Sequence, residues 1–263
     1  MSYRTILIDD NPPIRTITLN RPARRNAMTQ EMQAELISVM EETAAGNWRV
    51  VILTGAGEAF CSGLDLSELR AMQDKTADDH RTDAERIARL FVAVRELPIP
   101  TIAAVHGPAI AGGTGLAMAC DFTLATPASK FGFTEVRIGF VPALVSAFLS
   151  LQAGEKRARD LLLTGRLVDA AEALQIGLVS EVVPHGELMT RAQTLAETLI
   201  ANSPESLKAT KQLLIAQNRV WLDAAVASAL EANAASRETA DFREGVAAFL
   251  EKRKPNWARE QGS

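Results

Sequence analysis

Residues 101–121, TIAAVHGPAIAGGTGLAMACD, constrain the fold of this chain more than any other stretch. They begin as an apolar strand pattern, bend at glycines, and continue as a helix pattern of small, uncharged residues. Glycine lacks the β-carbon that keeps a ligand away from the backbone, and the first N–H groups of a helix have no intrahelical acceptor. The bend can therefore hold an anionic oxygen, or it can simply let a buried helix pack closely on a strand.

A second glycine bend lies in residues 59–66, AFCSGLDL, directly after the apolar strand pattern of residues 50–54. Both bends follow strands, and α/β proteins place ligands at the carboxyl ends of strands. Alternating residues in 3–9 and 14–20 predict an opening hairpin, and Thr29 and Gly46 are expected to begin and end the next helix. These patterns predict an α/β fold with donors at two turns.

The rest of the sequence predicts one loop, a largely helical second half and a boundary between two parts. Residues 73–83 are polar and charge-rich, which predicts a mobile loop. After Pro142 nearly everything has a helical pattern, with separate helices at 205–217 and 222–235 and one extended segment at 179–183. Ser203 before Pro204 is typical of a helix start. We therefore expect two parts, a core at 1–202 and a helical C-terminal module at 203–263.

Composition restricts the partners and the compartment. A net charge of -4 and 5% aromatic residues in 263 residues supply neither the basic stripe nor the stacking surface of a nucleic-acid binder. His106, Pro108 and four glycines interrupt the apolar run of residues 99–120, which favours a buried core over a membrane span. Cys61 and Cys120 lack metal-type spacing, and the strand-like start lacks a signal-peptide core. We expect a small-molecule partner, no membrane association and a cytoplasmic location.

The order of these motifs resembles the crotonase family of enoyl-CoA hydratases and isomerases. The segments that carry the resemblance are LTGAGEAFCSGLDL, PTIAAVHGPAIAGGTGLAMACD and FGFTEVRIGFVPA, supported by LNRP, NAM and the ending FLEKR. The resemblance covers nearly the whole chain and is specific for the family, though not for the reaction. It implies a crotonase (ClpP/crotonase-like) spiral of β-β-α units with a helical C-terminal oligomerisation module, in a homotrimer or homohexamer. Apolar Val246, Phe249 and Leu250 are compatible with burial at such an interface.

The resemblance also implies an acyl-CoA thioester substrate and a catalytic group of three residues. The backbone N–H groups of Leu64 and Gly112 would stabilise the oxygen of a thioester enolate. Glu135 would move protons, since its apolar and aromatic neighbours are expected to desolvate the carboxyl group and raise its pKa. The alternative for Glu135 is a surface glutamate paired with Arg137.

The chain departs from the best-known hydratase pattern at Gly115, where the family carries a second glutamate. Two carboxylates can share the activation of water and the protonation of the α-carbon, whereas one can shuttle a proton between two carbons. Segment 135–143, EVRIGFVPA, resembles hydratases of branched or glutaconyl-type acyl-CoAs. We expect a hydratase, with a double-bond isomerase as the alternative and a catalytically idle acyl-CoA-binding or RNA-binding scaffold as a rival from another class.

The CoA portion needs cations and an apolar surface, and the resemblance assigns both. The expected contacts are Arg24 and Arg25, then Ser62, Gly63, Asp65 and Leu66 in the bend at residues 59–66, and Phe249 and Lys252 from a neighbouring subunit. Arg24 and Arg25 have a second interpretation as a solvated basic loop. Asp65 is also expected to cap a helix.

No metal and no redox cofactor are expected, because CoA enters only as part of the substrate. Covalent catalysis by Cys61 is disfavoured, since His80, His106 and His185 form no recognisable triad with an acid.

Overall fold

The computed structural model of the protein describes residues 3–184 and 186–257. Within these residues the strands are β1 Ile6–Asn11, β2 Ile14–Leu19, β3 Val50–Gly55, β4 Thr101–Val105, β5 Ala109–Ile110, β6 Phe122–Ala125, β7 Lys130–Gly132, β8 Leu167–Asp169 and β9 Glu181–Val182. The helices are α1 Gln30–Ala45, α2 Leu66–Ala71, α3 Ala77–Arg95, α4 Gly112–Ala119, α5 Ala143–Ala153, α6 Glu155–Thr164, α7 Ala170–Gln175, α8 Leu188–Ile200, α9 Pro204–Ser236 and α10 Ala240–Leu250. Short 3-10 turns occupy Pro22–Arg24 and Glu135–Ile138.

Six strands form the larger sheet in the order β1-β2-β3-β4-β6-β9. β1 and β2 are the predicted antiparallel hairpin, and every later neighbour pairs in parallel. A second sheet has the order β5-β7-β8, with β5 parallel to β7. The chain thus passes from β4 to β5 and from β6 to β7, leaving one sheet for the other twice, as a spiral of β-β-α units requires. The α/β prediction is confirmed.

Alternate side chains of the larger sheet pack against different helices, because successive residues of a strand point to opposite faces. Ile14, Val50, Ile52 and Ile102 face the apolar side of α8. Ile17, Val51, Leu53 and Ala103 belong to the main core with α1, α3 and α4. Strands buried on both faces explain the continuous apolar pattern around residue 101. Residues 101–119 form a strand, a turn and a helix, and no helix in the described ranges combines the length and apolarity needed to cross a bilayer.

The predicted mobile loop at residues 73–83 is wrong over most of its length. Helix α3 begins at Ala77, where Thr76 and Asp79 form a capping box: Asp79 N donates to Thr76 Oγ1 at 3.2 Å and Thr76 N donates to Asp79 Oδ2 at 3.0 Å. The first turns of α3 are mostly polar, so the apolar periodicity that would reveal a helix is weak there.

Two further predictions beyond Pro142 need correction. Residues 205–217 and 222–235 are parts of one helix, α9, rather than two separate helices. Of the predicted extended segment at 179–183, only the two residues of β9 form a strand. The sequence analysis missed β8, because a strand of three residues that pairs antiparallel with β7 is too short to show a pattern.

The predicted module boundary coincides with the start of α9, where Ser203 caps the helix and Pro204 follows. The division into a 1–202 core and a 203–263 module stays a prediction, and residues 258–263 lie outside the described residues. Apolar side chains of α9, among them Leu222 and Ala229, join the main core. The C-terminal helices therefore pack on the same chain's core.

Candidate active site

The two glycine bends run side by side and in the same direction. Cys61 forms a parallel bridge with Ala109, and Ile110 N donates to Cys61 O at 2.9 Å. Three residues further along the two segments lie Leu64 and Gly112, which are thus at matching positions. The sequence predicted two donor turns, and the tertiary structure brings them next to each other.

Two glycines permit this close approach. A β-carbon on Gly113 would lie 2.1 Å from Cys61 O, so any side chain there would push the bends apart. Gly63 has φ +92, a left-handed conformation that favours glycine, and a β-carbon on it would lie 3.5 Å from Gly112 N. The glycines therefore allow one bend to pack on the other, and they also leave the backbone open to a ligand.

Hydrogen bonds from the Asn26 and Thr114 side chains hold the backbone of both bends. Asn26 Nδ2 donates to Ala59 O at 2.8 Å, and its Oδ1 accepts from Arg21 N at 2.8 Å. Thr114 Oγ1 donates to Ala109 O at 2.6 Å and accepts from Gly132 N at 3.1 Å. These contacts link both bends to their neighbouring segments, which limits their freedom to move.

The N–H groups of Leu64 and Gly112 remain unpaired. Neither donates to an acceptor within residues 3–184 or 186–257, although the flanking Asp65 N and Ala111 N donate to Met28 O and Gly132 O. Gly112 is the first residue of α4, where N–H groups lack intrahelical acceptors and the helix dipole is positive. Both donors are available for a ligand.

Glu135 lies beside these turns because β7 pairs with β5. Ala111 N donates to Gly132 O at 2.7 Å, and the chain then turns into the 3-10 segment that begins at Glu135. The Glu135 side chain is buried, and its Oε2 has no hydrogen-bond partner among the described residues. Burial raises the pKa of Glu135 to about 7, and a hydrogen bond from its own backbone N–H opposes this in part.

The alternative of a surface glutamate paired with Arg137 is wrong. Glu135 is only 8% exposed, and the described residues include no ion pair between it and Arg137. A carboxyl group that is half-protonated near neutral pH can both accept and return a proton.

A cavity of about 260 Å³ joins the three predicted catalytic residues. Its wall contains Leu64, Gly112 and Glu135, and Glu135 is the only acidic side chain among the described residues that line it. Apolar side chains form most of the remaining wall: Leu66, Leu69, Ile87, Phe91, Ile110, Ile138, Phe140, Val141, Leu144, Val145 and Phe249. An apolar pocket with few polar groups is typical of a small-molecule site.

No space for a second carboxyl group exists beside Gly115. A β-carbon added there would lie 2.7 Å from Val145 Cγ1 and 3.0 Å from Phe91 Cζ. Phe91 and Val145 therefore occupy the volume that a glutamate at this position would need. The packing of Phe91 and Val145 against Gly115 thus excludes the second glutamate of the two-glutamate pattern.

Several predicted CoA contacts gather at the cavity. Arg25, Ser62 and Leu66 line it, and Ser62 N donates to Arg25 O at 3.0 Å. Arg24 is next to Arg25 and its carbonyl accepts from Ser62 Oγ at 3.4 Å, but Arg24 does not line the cavity itself. Both arginines are exposed, and neither forms an ion pair with a described acidic residue, so both charges are free for an anion.

Three other predicted contacts do not line the cavity: Gly63, Asp65 and Lys252. Asp65 caps α2 by accepting from Ser67 N at 3.0 Å, as expected, and it forms an ion pair with Arg21 at 2.9 Å. Although burial alone would raise its pKa, the hydrogen bonds from Ser67 and Arg21 hold the pKa of Asp65 below its ordinary value. Asp65 therefore has a structural role here.

Phe249 lines the cavity of its own chain. The contribution of Phe249 and Lys252 from a neighbouring subunit stays a prediction. Helix α10 folds back so that Gly245 contacts Ile138 and Gly139 contacts Asp241. Val246 is fully buried in the same cluster as Phe140 and Phe242, so it is not available for an interface between subunits. Phe249 is 58% exposed.

Cysteine and histidine form no catalytic pair within the part of the chain that the structure describes. Burial raises the pKa of the Cys61 thiol to about 12, so the thiolate needed for nucleophilic attack is absent at neutral pH. His106 bonds through Nε2 to Gly57 O at 2.9 Å, and His80 bonds to Met72 O at 2.8 Å. His185 lies outside the described residues. Nowhere in residues 3–184 and 186–257 do three His, Cys, Asp or Glu side chains gather as a metal site.

The sequence reasoning missed the polar group on α9. Asn233 lines the cavity, and its Oδ1 accepts from Arg237 Nη2 at 3.1 Å. Arg237 is fully buried, with Nη1 2.7 Å from Asp83 Oδ2. The spacing of four residues between Asn233 and Arg237 is a helical signal, but polar residues in a helix are ordinarily assigned to the solvated face.

Comparisons with known proteins agree with this geometry. The family model for enoyl-CoA hydratase/isomerase matches residues 9–260. A Thermus thermophilus protein named "Putative enoyl-CoA hydratase" is 44% identical over 93% of this chain and 97% of its own length. The short-chain-enoyl-CoA hydratase of Clostridium acetobutylicum is 34% identical, with 97% of each chain covered. The crystal structure of an enoyl-CoA hydratase/isomerase from Xanthobacter autotrophicus has a TM-score of 0.88 and 34% identity, covering 95% of this chain and 97% of that one.

These matches extend over both the α/β core and the C-terminal helices, and they confirm the predicted crotonase fold. The chain belongs to the enoyl-CoA hydratase/isomerase family.

Proposed function

We propose that this enzyme adds water to the double bond of a 2-enoyl-CoA thioester through an enolate intermediate. The observation that carries the proposal is the single cavity that contains the buried Glu135 carboxyl group and the unpaired N–H groups of Leu64 and Gly112. The names of the Thermus and Clostridium relatives support hydration.

In this proposal the thioester oxygen lies between the N–H groups of Leu64 and Gly112. Attack at C3 of the acyl chain moves negative charge onto that oxygen, and two fixed donors stabilise the charge without reorganising. Positioned backbone donors of this kind typically contribute about 2.7 to 4 kcal/mol each to the transition state.

Glu135 transfers a single proton in two steps. Its carboxylate accepts a proton from water while the water oxygen bonds to C3, and the resulting carboxylic acid gives that proton to C2 as the enolate collapses. The atoms of one water are thereby divided between C3 and C2, and Glu135 ends in its starting state. A pKa of about 7 suits both steps, because neither protonation state is strongly disfavoured at neutral pH.

A double-bond isomerase is the second candidate, and the lone carboxyl group favours it. With Phe91 and Val145 filling the space at Gly115, no second acid assists Glu135. One carboxylate can remove a proton from C4 and return it to C2 through the same stabilised dienolate. The hydratase/isomerase from Xanthobacter autotrophicus carries both activities in its name.

Arg24 and Arg25 are proposed to bind the phosphates of CoA, and Ser62 and Leu66 to contact its adenine. Both guanidinium groups are exposed and form no ion pair with a described acidic residue, which supports this proposal. Arg25 lines the cavity together with Ser62, whose backbone N–H donates to Arg25 O. Gly63, Asp65 and Lys252 do not line the cavity, and we propose that they lie next to the residues that contact CoA. A cytoplasmic location and a reaction without metal or redox cofactor stay predictions.

A homotrimer or homohexamer is proposed as the assembly. Exposed apolar side chains on α9, among them Leu213, Leu214, Val220 and Trp221, support it because such a surface is favourably covered by another copy. Light scattering of the purified protein measures the assembly directly.

One experiment separates the candidate functions. The protein is incubated with a panel of enoyl-CoA thioesters with the double bond at C2 or C3, and the products are analysed by mass and by chromatography. A gain of one water indicates a hydratase, and a new isomer of unchanged mass indicates an isomerase. Binding without any turnover would contradict both and indicate an acyl-CoA-binding scaffold.

A further inference from the structure

The cavity wall contains two polar residues that the proposed reaction does not use, Thr134 and Asn233. Of its polar lining residues, Arg25 follows the 3-10 turn Pro22–Arg24, Ser62 belongs to the bend at residues 59–66, and Thr134 and Glu135 lie at the start of the other 3-10 turn. Asn233 alone comes from α9, and most of the other side chains that line the cavity are apolar, among them Leu69, Ile87 and Phe140.

The orientation of the Asn233 amide is fixed by Arg237. A guanidinium group only donates hydrogen bonds, so the amide atom 3.1 Å from Arg237 Nη2 must be the oxygen. The amide nitrogen points away from Arg237 and donates to no residue in the described ranges. Asn233 is only 4% exposed and lines the cavity, and an amide donor in a mostly apolar wall gains free energy when it meets an acceptor.

Arg237 is itself fully buried and has two further neighbours besides Asn233. Its Nη1 lies 2.7 Å from Asp83 Oδ2, and its guanidinium carbon lies 5.6 Å from the centre of the Phe140 ring. Asp83 also accepts from Arg86 Nη1 at 2.7 Å and from Gln30 Nε2 at 3.2 Å. Arg237 does not line the cavity, so the Asn233 amide is the group through which this buried network meets a ligand.

The position of this network along α3 places it away from the reacting carbons. Phe91 packs on Gly115, one turn into the helix that begins at Gly112, and Ile87 and Asp83 follow at intervals of four residues. At 1.5 Å per residue, about 12 Å of helix axis separates Phe91 from Asp83. An acyl chain that runs from Gly112 past Phe91 and Ile87 thus reaches the neighbourhood of Asn233.

We propose that the Asn233 amide nitrogen binds an oxygen on the far part of the substrate's acyl chain, so that the enzyme prefers thioesters with a carbonyl or carboxyl group there. This inference rests on the proposed function and defines its substrate class. A plain alkyl chain leaves the amide donor unpaired in an apolar wall, and an oxygen acceptor satisfies it.

The test compares three 2-enoyl-CoA thioesters with the same number of chain carbons, ending in a methyl group, a methyl ketone and a carboxylate. Wild-type kcat/KM is expected to be about tenfold higher for at least one oxygenated chain than for the alkyl chain. The ketone and carboxylate arms distinguish a neutral acceptor from an anionic one.

Two variants remove the donor in different ways. Asn233→Asp keeps an acceptor for Arg237 but cannot donate, and Asn233→Leu keeps the approximate volume without polar atoms. Both are expected to lower the ratio of oxygenated to alkyl kcat/KM about tenfold. Thermal unfolding checks that each variant folds, and Asn233→Asp is the variant that preserves the contact with Arg237.

Equal wild-type kcat/KM for all three chains, or an unchanged ratio in Asn233→Asp, would overturn the inference. Calorimetric binding of the three saturated acyl-CoA analogues separates it from the proposed function, because these ligands cannot react. A binding preference lost in Asn233→Asp, with no turnover of any enoyl-CoA, would refute the hydratase proposal and leave the recognition by Asn233 standing.

Discussion

Leu64 and Gly112 each lie three residues beyond Cys61 and Ala109, which pair in parallel, so their unpaired N–H groups occupy matching positions on adjacent segments. The approach depends on Gly113, whose missing β-carbon leaves room for Cys61 O. This packing places two unpaired main-chain donors next to each other in the wall of one cavity.

Replacing Gly112 by proline removes one of these donors. Proline is tolerated at the first position of a helix, so the expected loss is mainly catalytic: kcat falls about 100-fold to 1000-fold. Steady-state kinetics measure it. Gly112→Ala is the matched control, because it keeps the N–H group and adds a β-carbon that meets the flexible end of Met28 at 3.0 Å. Equal activity of the two variants would contradict the role of the N–H group.

Glu135→Gln removes the acid-base group while nearly preserving its shape. We expect kcat to fall about 100-fold to 10,000-fold, since the amide can neither accept nor return the proton. Binding of a saturated acyl-CoA, measured by calorimetry, should change little. Glu155→Gln, on an exposed side chain of α6, is the control and should retain wild-type turnover. Substantial activity in Glu135→Gln would remove Glu135 from the mechanism.

The pH profile of kcat/KM should follow the ionisation of Glu135. Burial raises its pKa to about 7, and the reaction begins with the carboxylate. We therefore expect kcat/KM to reach a plateau above pH 7, to be half-maximal near pH 7 and to fall about tenfold per pH unit below it. Half-maximal activity near the ordinary glutamate value of 4.5 would contradict the buried, desolvated carboxyl group.

The raised pKa of Glu135 also makes the free energy of unfolding depend on pH, and this contribution falls as the pH rises, whereas activity rises. Because the folded protein binds the Glu135 proton more tightly than the unfolded chain, this group's contribution is fully present below about pH 4.5 and is lost as the pH rises through 7. Glu135→Gln should therefore gain stability relative to wild type between pH 5 and pH 8, by roughly 2 to 3 kcal/mol. Urea unfolding at the two pH values measures the difference, and a constant difference would contradict the shift.

Arg237 should matter for stability more than any surface arginine. Arg237→Met leaves the buried Asp83 without one of its cationic partners, and the free energy of unfolding is expected to fall by about 3 to 5 kcal/mol. Arg89→Met is the control, because Arg89 and Glu41 form an exposed pair whose loss costs less than about 1 kcal/mol. Similar urea midpoints for the two variants would show that the buried pair contributes little.

Local signals identified the parts of the site whose role is carried by the backbone or by immediate neighbours. The glycines predicted both bends, and the apolar residues around Glu135 predicted its raised pKa, because both effects arise within a few residues of sequence. The Asp65 cap followed from the same kind of local rule and is confirmed. The helix over residues 77–83 was missed for the converse reason, since its start is marked by a capping box in a polar segment.

The sequence by itself determined the strand-to-helix turns, the α/β class and the family, because spacing of glycines and apolar residues is written directly in the chain. Only the tertiary structure decided that Phe91 and Val145 fill the space beside Gly115, that Phe249 reaches the cavity of its own chain, and that Asn233 presents an amide held by the buried Arg237. These contacts join residues far apart in sequence. They depend on how helices pack, which no local pattern encodes.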